Sequence, residues 1–298
     1  MNELKKKLME LFHCQISELK LSSRLLKKNI VYHLNDSNRN YAIKIFKYGD
    51  DETRFFNELS MYKFFENKKI INTPKLIDCF NSEFGYMLVI SWLDGKSLKQ
   101  LLKENNFDTE YDNIMNMIHD MEKIWDTSIS QIKFLKVDQL GISKRLNKDL
   151  EEIMQQICIN KPHINFKLLF DTYSKLIGEI NPHFDYLINS DVSAHEYIIK
   201  DNVGYWIDFE KFNIGDPNND LARLFQSVSN TFNKYENIEK LYVIICRNKY
   251  FDKGVFLYYL TEKLMCSIHD APEQISDQEI YYYIEFILSK MNEKKKQR

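Results

Sequence analysis

Residues 186–220, YLINSDVSAHEYIIKDNVGYWIDFEKFNIGDPNND, constrain the fold and chemistry of this chain more than any other stretch. Two short apolar runs, YII and YWI, flank a turn that contains Gly204. Short apolar runs around a glycine-containing turn predict a β-hairpin. Such a hairpin would bring Asp191, Glu196 and Asp208 to one end of a small sheet. Gathered carboxylates repel one another unless a cation joins them, so the stretch predicts a divalent metal with phosphate ligands.

Composition narrows the class of protein. With 298 residues the chain is long enough for two domains or two lobes, and its net charge of −2 gives no reason to expect nucleic-acid or membrane partners. The five cysteines are far apart and form no CxxC pair, which favours reduced thiols in a cytoplasmic protein. The amphipathic N-terminus does not resemble a signal peptide. A monomer and a homodimer both fit these observations.

The order of predicted elements indicates an α+β fold. Strand-like runs before residue 91 are 30–32, 41–46, 74–80 and 86–90, with one helical pattern at 51–66. A bend containing Gly95 follows. Helical patterns beyond it are 97–105, 109–127, 142–158, 165–179, 218–232, 236–247, 253–268 and 277–294. We therefore predict an N-terminal lobe at 1–93 with an antiparallel sheet and one helix, a hinge at about 91–96, and a large, mostly helical C-terminal lobe at 97–298.

Three carboxylates of the opening stretch are candidate site residues, and each has a plain structural alternative. Asp208 follows a run that is typical of a buried strand. It is a candidate metal ligand, with Glu210 as a second acidic contributor, and the alternative is a turn or N-cap aspartate. Asp191 also follows an apolar run, and it either accepts the proton of an attacking hydroxyl or closes a turn. Glu196 lies at the mouth of the hairpin, where its oxygen reaches the same cation or faces solvent.

Lys44 is a further candidate because it stands inside the apolar run AIKIF. A lysine on the inner face of a strand is costly unless it is paired. Glu58 on the next helix is a candidate partner, and the lysine would then be held ready for phosphate oxygens. An edge-strand lysine that faces water is the alternative.

The combination of these features resembles a known family. In order, the chain has a strand lysine, a helix glutamate, a hinge, an aspartate-containing loop, a hairpin, a strand-end aspartate and the segment GDPNNDLA. This order resembles the aminoglycoside phosphotransferase and choline kinase superfamily, which has a two-lobed, protein-kinase-like fold. WIDFEKFNIGDPNNDLARL is similar to the family's I-D-[WF]-E…G-D-P-x-x-D-L-A segment.

The resemblance implies a small-molecule kinase that transfers the γ-phosphoryl group of ATP or GTP to a hydroxyl. It implies that Lys44 contacts the α- and β-phosphates and that Glu58 orients Lys44. It also implies a hinge whose backbone meets the adenine, formed by Ser91, Trp92 and Leu93.

On the catalytic side, the resemblance implies that Asp191 is the catalytic aspartate. Asp208 would be the principal Mg²⁺ ligand, and Glu196 would occupy the second ligand position. Asp216 and Asp220 are expected to brace the loops by capping and hydrogen bonding.

Two departures from the family pattern bear on activity. The family's loop reads H-x-D-x-x-x-x-N, but here Asn189 replaces the histidine and Glu196 replaces the asparagine. The first change removes a loop-bracing ring, and the second keeps an oxygen ligand that Mg²⁺, or Mn²⁺, tolerates. A catalytically weakened nucleotide-binding protein therefore stays open. A protein kinase also stays open, although a Gly-rich loop, H-R-D and A-P-E are absent.

The acceptor is not determined by the sequence, and aminoglycosides, amino alcohols and sugars all fit. Acidic and aromatic residues near the C-terminus suit a cationic acceptor. They are Asp270, Glu273, Asp277, Glu279, Tyr281, Tyr282 and Tyr283. A solvated helix start and a core-facing aromatic surface explain the same residues.

Overall fold

The computed structural model describes residues 6, 9–10, 16–21, 29–36, 39–49, 51–132, 141–231 and 235–293. The chain folds into two compact units, each assembled from segments that are separated in the sequence. The first unit comprises Met1–Leu98, Asp112–Ile124 and His195–Phe212, and the second comprises Lys99–Tyr111, Trp125–Ala194 and Asn213–Arg298. The first unit continues across residues 91–96, and the division into lobes predicted there stays a prediction.

An antiparallel sheet of five strands forms much of the first unit. The strands are β1 (Ile16–Leu21), β2 (Asn29–Asp36), β3 (Arg39–Phe46), β4 (Leu76–Ser82) and β5 (Gly85–Ser91), in the order β1-β2-β3-β5-β4. One face packs into a core of Leu34, Tyr41, Ile43, Ile45, Met87 and Val89. Because side chains alternate along a strand, Lys44 and Phe46 of β3 lie on the opposite face.

Helix α1 (Glu52–Lys68) covers that opposite face. Its buried residues Phe55, Leu59 and Tyr62 recur at helical spacing, and the Phe55 ring meets Phe46 edge to face at 5.6 Å between centroids. Glu58 lies on the same side of the helix and is only 1% exposed. The packing of α1 on the sheet therefore carries a glutamate to the strand that holds Lys44.

The predicted hairpin is present in the first unit. Strands β8 (Tyr197–Lys200) and β9 (Val203–Trp206) pair antiparallel, and β6 (Lys96–Ser97) pairs with β8. The two turn residues, Asp201 and Asn202, have φ angles of 51° and 60°, which identifies the type I′ turn that suits the strand twist. A Cβ at Gly204 would collide with the Tyr197 hydroxyl, so glycine is required there.

The second unit is mainly helical. The helices that lie wholly or partly in it are α2 (Leu98–Glu104), α3 (Tyr111–Trp125), α4 (Gly141–Asn160), α5 (Lys167–Glu179), α6 (Pro217–Ser229), α7 (Tyr235–Cys246), α8 (Lys253–Asp270) and α9 (Asp277–Asn292). Helix α8 is central, because α4, α5, α6 and α9 all pack against it. Most of its residues are buried, including Glu262 and Lys263. A short pair of strands, β7 (Tyr186–Ile188) and β10 (Asn213–Gly215), adjoins α6.

The sequence GDPNND forms the start of α6. Asp216 is the N-cap, and its side chain accepts a hydrogen bond from the Asn218 backbone N–H at 2.8 Å. Pro217 occupies the first helical position, where its missing N–H leaves no bond unmade. Asp216 also accepts from the backbone N–H of His183 at 2.7 Å. The predicted capping role of Asp216 is confirmed. No helix within the described residues is long and apolar enough to cross a membrane.

Candidate active site

The first unit gathers three carboxylates around Lys44. Its Nζ lies 2.6 Å from Glu58 Oε2, 3.0 Å from Asp208 Oδ1 and 3.5 Å from Glu210 Oε2. Oxygen atoms of these three acids, hereafter the carboxylate cluster, lie within 4.8 Å of one another. The predicted contact between Lys44 and Glu58 is present, and the alternative of a strand lysine facing water is excluded, because Lys44 is only 8% exposed.

Burial and neighbouring charges shift the pKa values of Lys44 and Glu58. Burial alone would lower the pKa of Lys44, but the carboxylates of Glu58, Asp208 and Glu210 outweigh it and raise that pKa well above its usual value. Burial also raises the pKa of Glu58 to about 8, against the opposing effect of the Lys44 ammonium. Three acids thus surround the Lys44 ammonium, and the Arg54 guanidinium, 3.9 Å from Glu210 Oε1, is a second cation beside them.

The aspartate of the cluster sits on an unusual backbone. Asp208 has a φ of 66°, in the left-handed region that few residues other than glycine adopt. The next residue, Phe209, is fully buried, and its ring packs on Tyr62 and Phe65 of α1 at 4.6 and 5.2 Å between centroids. The buried ring anchors the segment, while the Asp208 side chain stays 38% exposed. Such strained positions are concentrated at functional sites.

Glu196 lies at the open end of the hairpin, as the sequence predicts. Its carbonyl accepts from the backbone N–H of Ile207 at 3.0 Å, so its backbone is the neighbour of the segment that leads into Asp208. Glu196 is not a member of the carboxylate cluster within the described residues. Glu210, named in the sequence analysis only as a helper of Asp208, is a member.

The predicted hinge is tied to the sheet by two of its three residues. The backbone N–H of Ser91 bonds to the Lys75 carbonyl at 2.9 Å, and that of Trp92 bonds to the Asn40 carbonyl at 3.0 Å. The Trp92 ring stacks on His33 with centroids 4.0 Å apart. Among the described residues, the N–H of Leu93 takes part in no backbone hydrogen bond. Of the three, Leu93 is therefore the one with a donor left for a ligand.

In the second unit, Asp220 holds the loop that carries Asp191. The two oxygens of Asp220 accept from the backbone N–H groups of Asn189 at 3.0 Å and Ser190 at 2.8 Å, and the Trp125 indole N–H adds a third bond at 3.0 Å. Burial raises the pKa of Asp220 to about 6, although these donors lower it. The predicted bracing role of Asp220 is confirmed.

Arg223 fixes the side chain of Asp191. It lies one helical turn after Asp220 on α6, and its Nη2 donates to Asp191 Oδ1 at 2.8 Å. Its Nη1 donates to Gln226 Oε1 at 3.1 Å. One helix face therefore positions both the backbone of the loop, through Asp220, and the carboxylate of Asp191, through Arg223.

Asn189 changes how this loop is braced. It stands where the resembling family has histidine, and it is 2% exposed. Neither its side-chain nitrogen nor its side-chain oxygen has a hydrogen-bond partner in the part of the chain that the structure describes. The loop is held through the backbone N–H of Asn189 instead. Asp220 accepts that bond and a second one from the backbone N–H of Ser190.

Several of the acidic and aromatic residues near the C-terminus belong to a helix start or to the core, whereas Tyr281 is 46% exposed. Ser276 and Glu279 make a reciprocal capping box at the beginning of α9, and Asp277 pairs with Lys161 at 2.9 Å. The Tyr283 hydroxyl is buried against Ser229. The interpretation as a helix start with a core-facing aromatic is confirmed at these positions.

The sequence analysis missed two charged residues of the second unit, Arg223 and Lys263. Arg223 is in the segment DLARL that carries the family resemblance, and its position one turn after Asp220 is the signal that was available. Lys263 lies within a largely apolar helical run and gave no such signal. Only the packing of α8 against α6 brings it near Asp191.

Comparisons with known proteins identify the fold. No protein-family model matches the sequence, and no curated protein is similar enough in sequence to count as a relative. A solved structure of the GDP and kanamycin complex of APH(2")-IIIa is similar at a TM-score of 0.69 and 12% identity, covering 98% of this chain and 99% of that one.

Two further solved structures are similar along nearly the whole chain. A thermostable mutant of aminoglycoside phosphotransferase APH(4)-Ia matches with a TM-score of 0.64 and 16% identity, over 96% of this chain and 98% of that one. Spectinomycin phosphotransferase APH(9)-Ia, in complex with ADP and spectinomycin, matches with a TM-score of 0.55 and 16% identity over the same shares. The predicted α+β, two-lobed, protein-kinase-like fold is confirmed, and the chain has the fold of the aminoglycoside phosphotransferases.

Proposed function

We propose that this protein is a small-molecule kinase that transfers the γ-phosphoryl group of ATP or GTP to a hydroxyl. The observation that carries the proposal is Lys44, buried between Glu58 and Asp208 in the first unit. A lysine held by a helix glutamate presents a fixed cation to phosphate oxygens, which is how this fold positions nucleotides. The nucleotide-bound phosphotransferases with the same fold support the proposal.

The carboxylate cluster suits a divalent metal. Its oxygens are hard ligands and carry more negative charge than Lys44 neutralises, which fits Mg²⁺ or Mn²⁺. Asp208 and Glu210 would hold the ion, with Glu196 as the further candidate from the sequence. When bound, the metal neutralises charge on the nucleotide phosphates. Lys44 would contact the α- and β-phosphates, Glu58 would keep Lys44 in place, and Ser91, Trp92 and Leu93 would meet the base, with the N–H of Leu93 as donor.

Asp191 would act on the acceptor. Its carboxylate would accept a hydrogen bond from the acceptor hydroxyl, orient the oxygen and take its proton. The ion pair with Arg223 supports this role because it holds the Asp191 carboxylate in one orientation. Positioning and charge neutralisation would supply most of the rate enhancement, as is usual for phosphoryl transfer.

The test is nucleotide consumption with Mg²⁺ and a panel of hydroxyl compounds, compared between the wild type and Asp191→Asn. We expect acceptor-dependent release of nucleoside diphosphate, reduced at least roughly a hundredfold in the variant. Nucleotide affinity should change little, because Asp191 acts on the acceptor. Acceptor-dependent turnover that is equal in Asp191→Asn would refute the proposed role of Asp191.

A nucleotide-binding protein with weakened catalysis is the second candidate. The observations that favour it are Asn189, whose side chain has no partner among the described residues, and Glu196 in place of the family's asparagine. Saturable nucleotide binding with no turnover on any acceptor would support this second function.

A further inference from the structure

The loop that carries Asp191 is held on both sides of that residue by one face of α6. Before Asp191, the Asp220 carboxylate accepts hydrogen bonds from two backbone N–H groups of the loop. After it, the backbone N–H of Ala194 donates to Ser227 Oγ at 2.9 Å. Asp220 and Ser227 lie about two helical turns apart, so both side chains leave α6 on the same side. One helix therefore fixes the beginning and the end of the loop.

The hydroxyl of Ser227 makes no hydrogen bond within its own helix in the part of the chain that the structure describes. A serine or threonine inside a helix can bond the carbonyl one turn earlier. Ser229 does so at 2.6 Å and Thr261 at 2.7 Å. The partners of Ser227 Oγ are instead the Ala194 N–H and, at 3.3 Å, the hydroxyl of Ser193. The Ser227 hydroxyl thus connects the helix to the loop.

The end of the loop depends on this connection because it is buried. Ala194 and Val192 are both 0% exposed, while the Asp191 side chain between the buried segments is 26% exposed. A buried backbone N–H without an acceptor destabilises the folded state. The Ala194 N–H has its acceptor in Ser227, and the Ala194 carbonyl accepts from the Lys99 N–H at 2.9 Å. Both backbone polar groups of Ala194 are therefore fixed.

The residue before Asp191 shows why the loop must be held at both ends. Ser190 has a φ of 59°, in the left-handed region, and such a backbone persists only where the surroundings hold it. Its N–H is bonded to Asp220, and its hydroxyl oxygen accepts from Asn213 Nδ2 at 2.8 Å. The direction of the Asp191 side chain follows from this backbone. If the chain after Asp191 were free to move, the strain at Ser190 could relax and Asp191 would turn away from Arg223.

We propose that Ser227 is a positioning residue for phosphoryl transfer, whose hydroxyl holds the loop at Ala194 and so keeps the Asp191 carboxylate in its orientation against Arg223. This inference rests on the proposed function, because it deepens the account of the residue that acts on the acceptor. Ser227 acts through Asp191 and takes no part in bond making. A displacement of about 1 Å at a reacting group can lower a rate up to roughly a hundredfold, so one hydrogen bond to the loop is enough to affect turnover.

The test compares two serines of α6 that lie on opposite faces of the helix. Ser227→Ala removes the acceptor of the Ala194 N–H. The matched control Ser229→Ala removes a buried hydroxyl that bonds within the helix and to Tyr283. With Mg²⁺, ATP or GTP and the panel of hydroxyl compounds, we expect kcat to fall roughly tenfold in Ser227→Ala, with the KM for nucleotide unchanged. Ser229→Ala should lower the melting temperature and keep kcat. Ser227→Thr, which retains the hydroxyl, should recover most of kcat.

A double substitution separates positioning from a general structural effect. If Ser227 acts through the Asp191 carboxylate, its removal should matter only while that carboxylate is present. Asp191→Asn combined with Ser227→Ala should therefore turn over at the same residual rate as Asp191→Asn alone. A further tenfold loss in the combined variant would show that the hydroxyl does not act through Asp191, and it would overturn the inference.

Failure of the inference and failure of the proposed function are distinguishable. Turnover by the wild type with kcat unchanged in Ser227→Ala, or lowered equally in Ser229→Ala, would overturn the inference and leave the kinase function intact. If the wild type phosphorylates no compound, the proposed function fails, and the role of Ser227 is judged by amide hydrogen exchange. Exchange at Ala194 should then be faster in Ser227→Ala than in the wild type and in Ser229→Ala. Equal exchange in the two variants would overturn the inference.

Discussion

At the scale of single residues, Lys44 shows how one cation organises a site. It is the ammonium that compensates the carboxylate cluster, and the cluster is assembled from a helix and from the segment after the hairpin. The same residue is thus expected to matter for stability and for catalysis, and these two effects can be separated.

Lys44→Met should lower the free energy of unfolding by about 3–5 kcal/mol, because it leaves buried carboxylates uncompensated. Adding Glu58→Gln should recover part of that stability but none of the turnover. Urea unfolding and nucleotide consumption measure the two effects. Lys249→Met, which breaks an exposed pair with Asp126, is the control and should change both little. Equal losses of stability in Lys44→Met and Lys249→Met would contradict the argument.

Glu262 predicts a pH dependence of stability. Burial raises its pKa from 4.5 to about 7, so the folded protein holds this proton more tightly than the unfolded chain does. The stability gained from the proton is complete below pH 4.5 and is lost as pH rises through about 7. Glu262→Gln should therefore be more stable than the wild type above pH 7, by on the order of 3 kcal/mol, and similar to it near pH 4.5. Urea unfolding across this range provides the measurement, and a difference independent of pH would refute the assignment.

At the scale of elements, the beginning of α6 links a helix cap to the loop that carries Asp191. Asp216 caps the helix, Asp220 in its first turn holds the loop backbone, and Arg223 one turn further holds Asp191. One helix thus combines local capping with long-range positioning. A substitution at the N-terminus of α6 should therefore disturb the loop as well as the helix.

Asp216→Ala should destabilise the protein by about 2 kcal/mol, at the upper end for an N-cap, because the side chain is buried and also bonds His183. The matched control is Asp252→Ala, which removes the N-cap of α8 with its single bond to the Val255 N–H. The melting temperature should fall further in Asp216→Ala than in Asp252→Ala. We also expect lower kcat in Asp216→Ala, and kcat retained at the wild-type value would show that the cap does not influence the loop.

At the scale of the whole molecule, the proposed function implies that nucleotide and metal bind to the folded protein and not to the unfolded chain. A ligand that binds only the native protein stabilises it in proportion to the logarithm of its concentration, by about 2.7 kcal/mol at a hundred times its Kd. Mg²⁺ should be part of this effect, because the carboxylate cluster repels nucleotide phosphates when no metal is bound.

Addition of ADP with Mg²⁺ should raise the melting temperature of the wild type, and chelation of the metal should remove most of that shift. Asp208→Asn should show a smaller shift with Mg²⁺ and little further change on chelation. Thermal unfolding with and without a chelator makes the comparison. A shift that is the same with and without Mg²⁺ would exclude metal-assisted nucleotide binding.

The elements of this protein follow from local sequence. Several features depend only on residues that are close together in the sequence. They are the hairpin and its turn, the strand that contains Lys44, the helix that carries Glu58 and the cap at Asp216. Periodicity and turn chemistry act over that distance, so these features were predicted from the sequence. The family resemblance in WIDFEKFNIGDPNNDLARL then indicated how the elements are joined, and the fold confirmed it.

Contacts between distant residues depended on the tertiary structure. Glu210 joins the cluster because Phe209 is buried against α1, and Arg223 reaches Asp191 across 32 positions of sequence. Lys263 lies beside them because α8 is the central helix of its unit. No local pattern records such proximity, since it arises from the packing of whole elements. The sequence alone therefore predicted most of the elements, but not β1 or β10, and it provided the candidates Lys44, Glu58, Asp191 and Asp208. The tertiary structure decided which charges surround them.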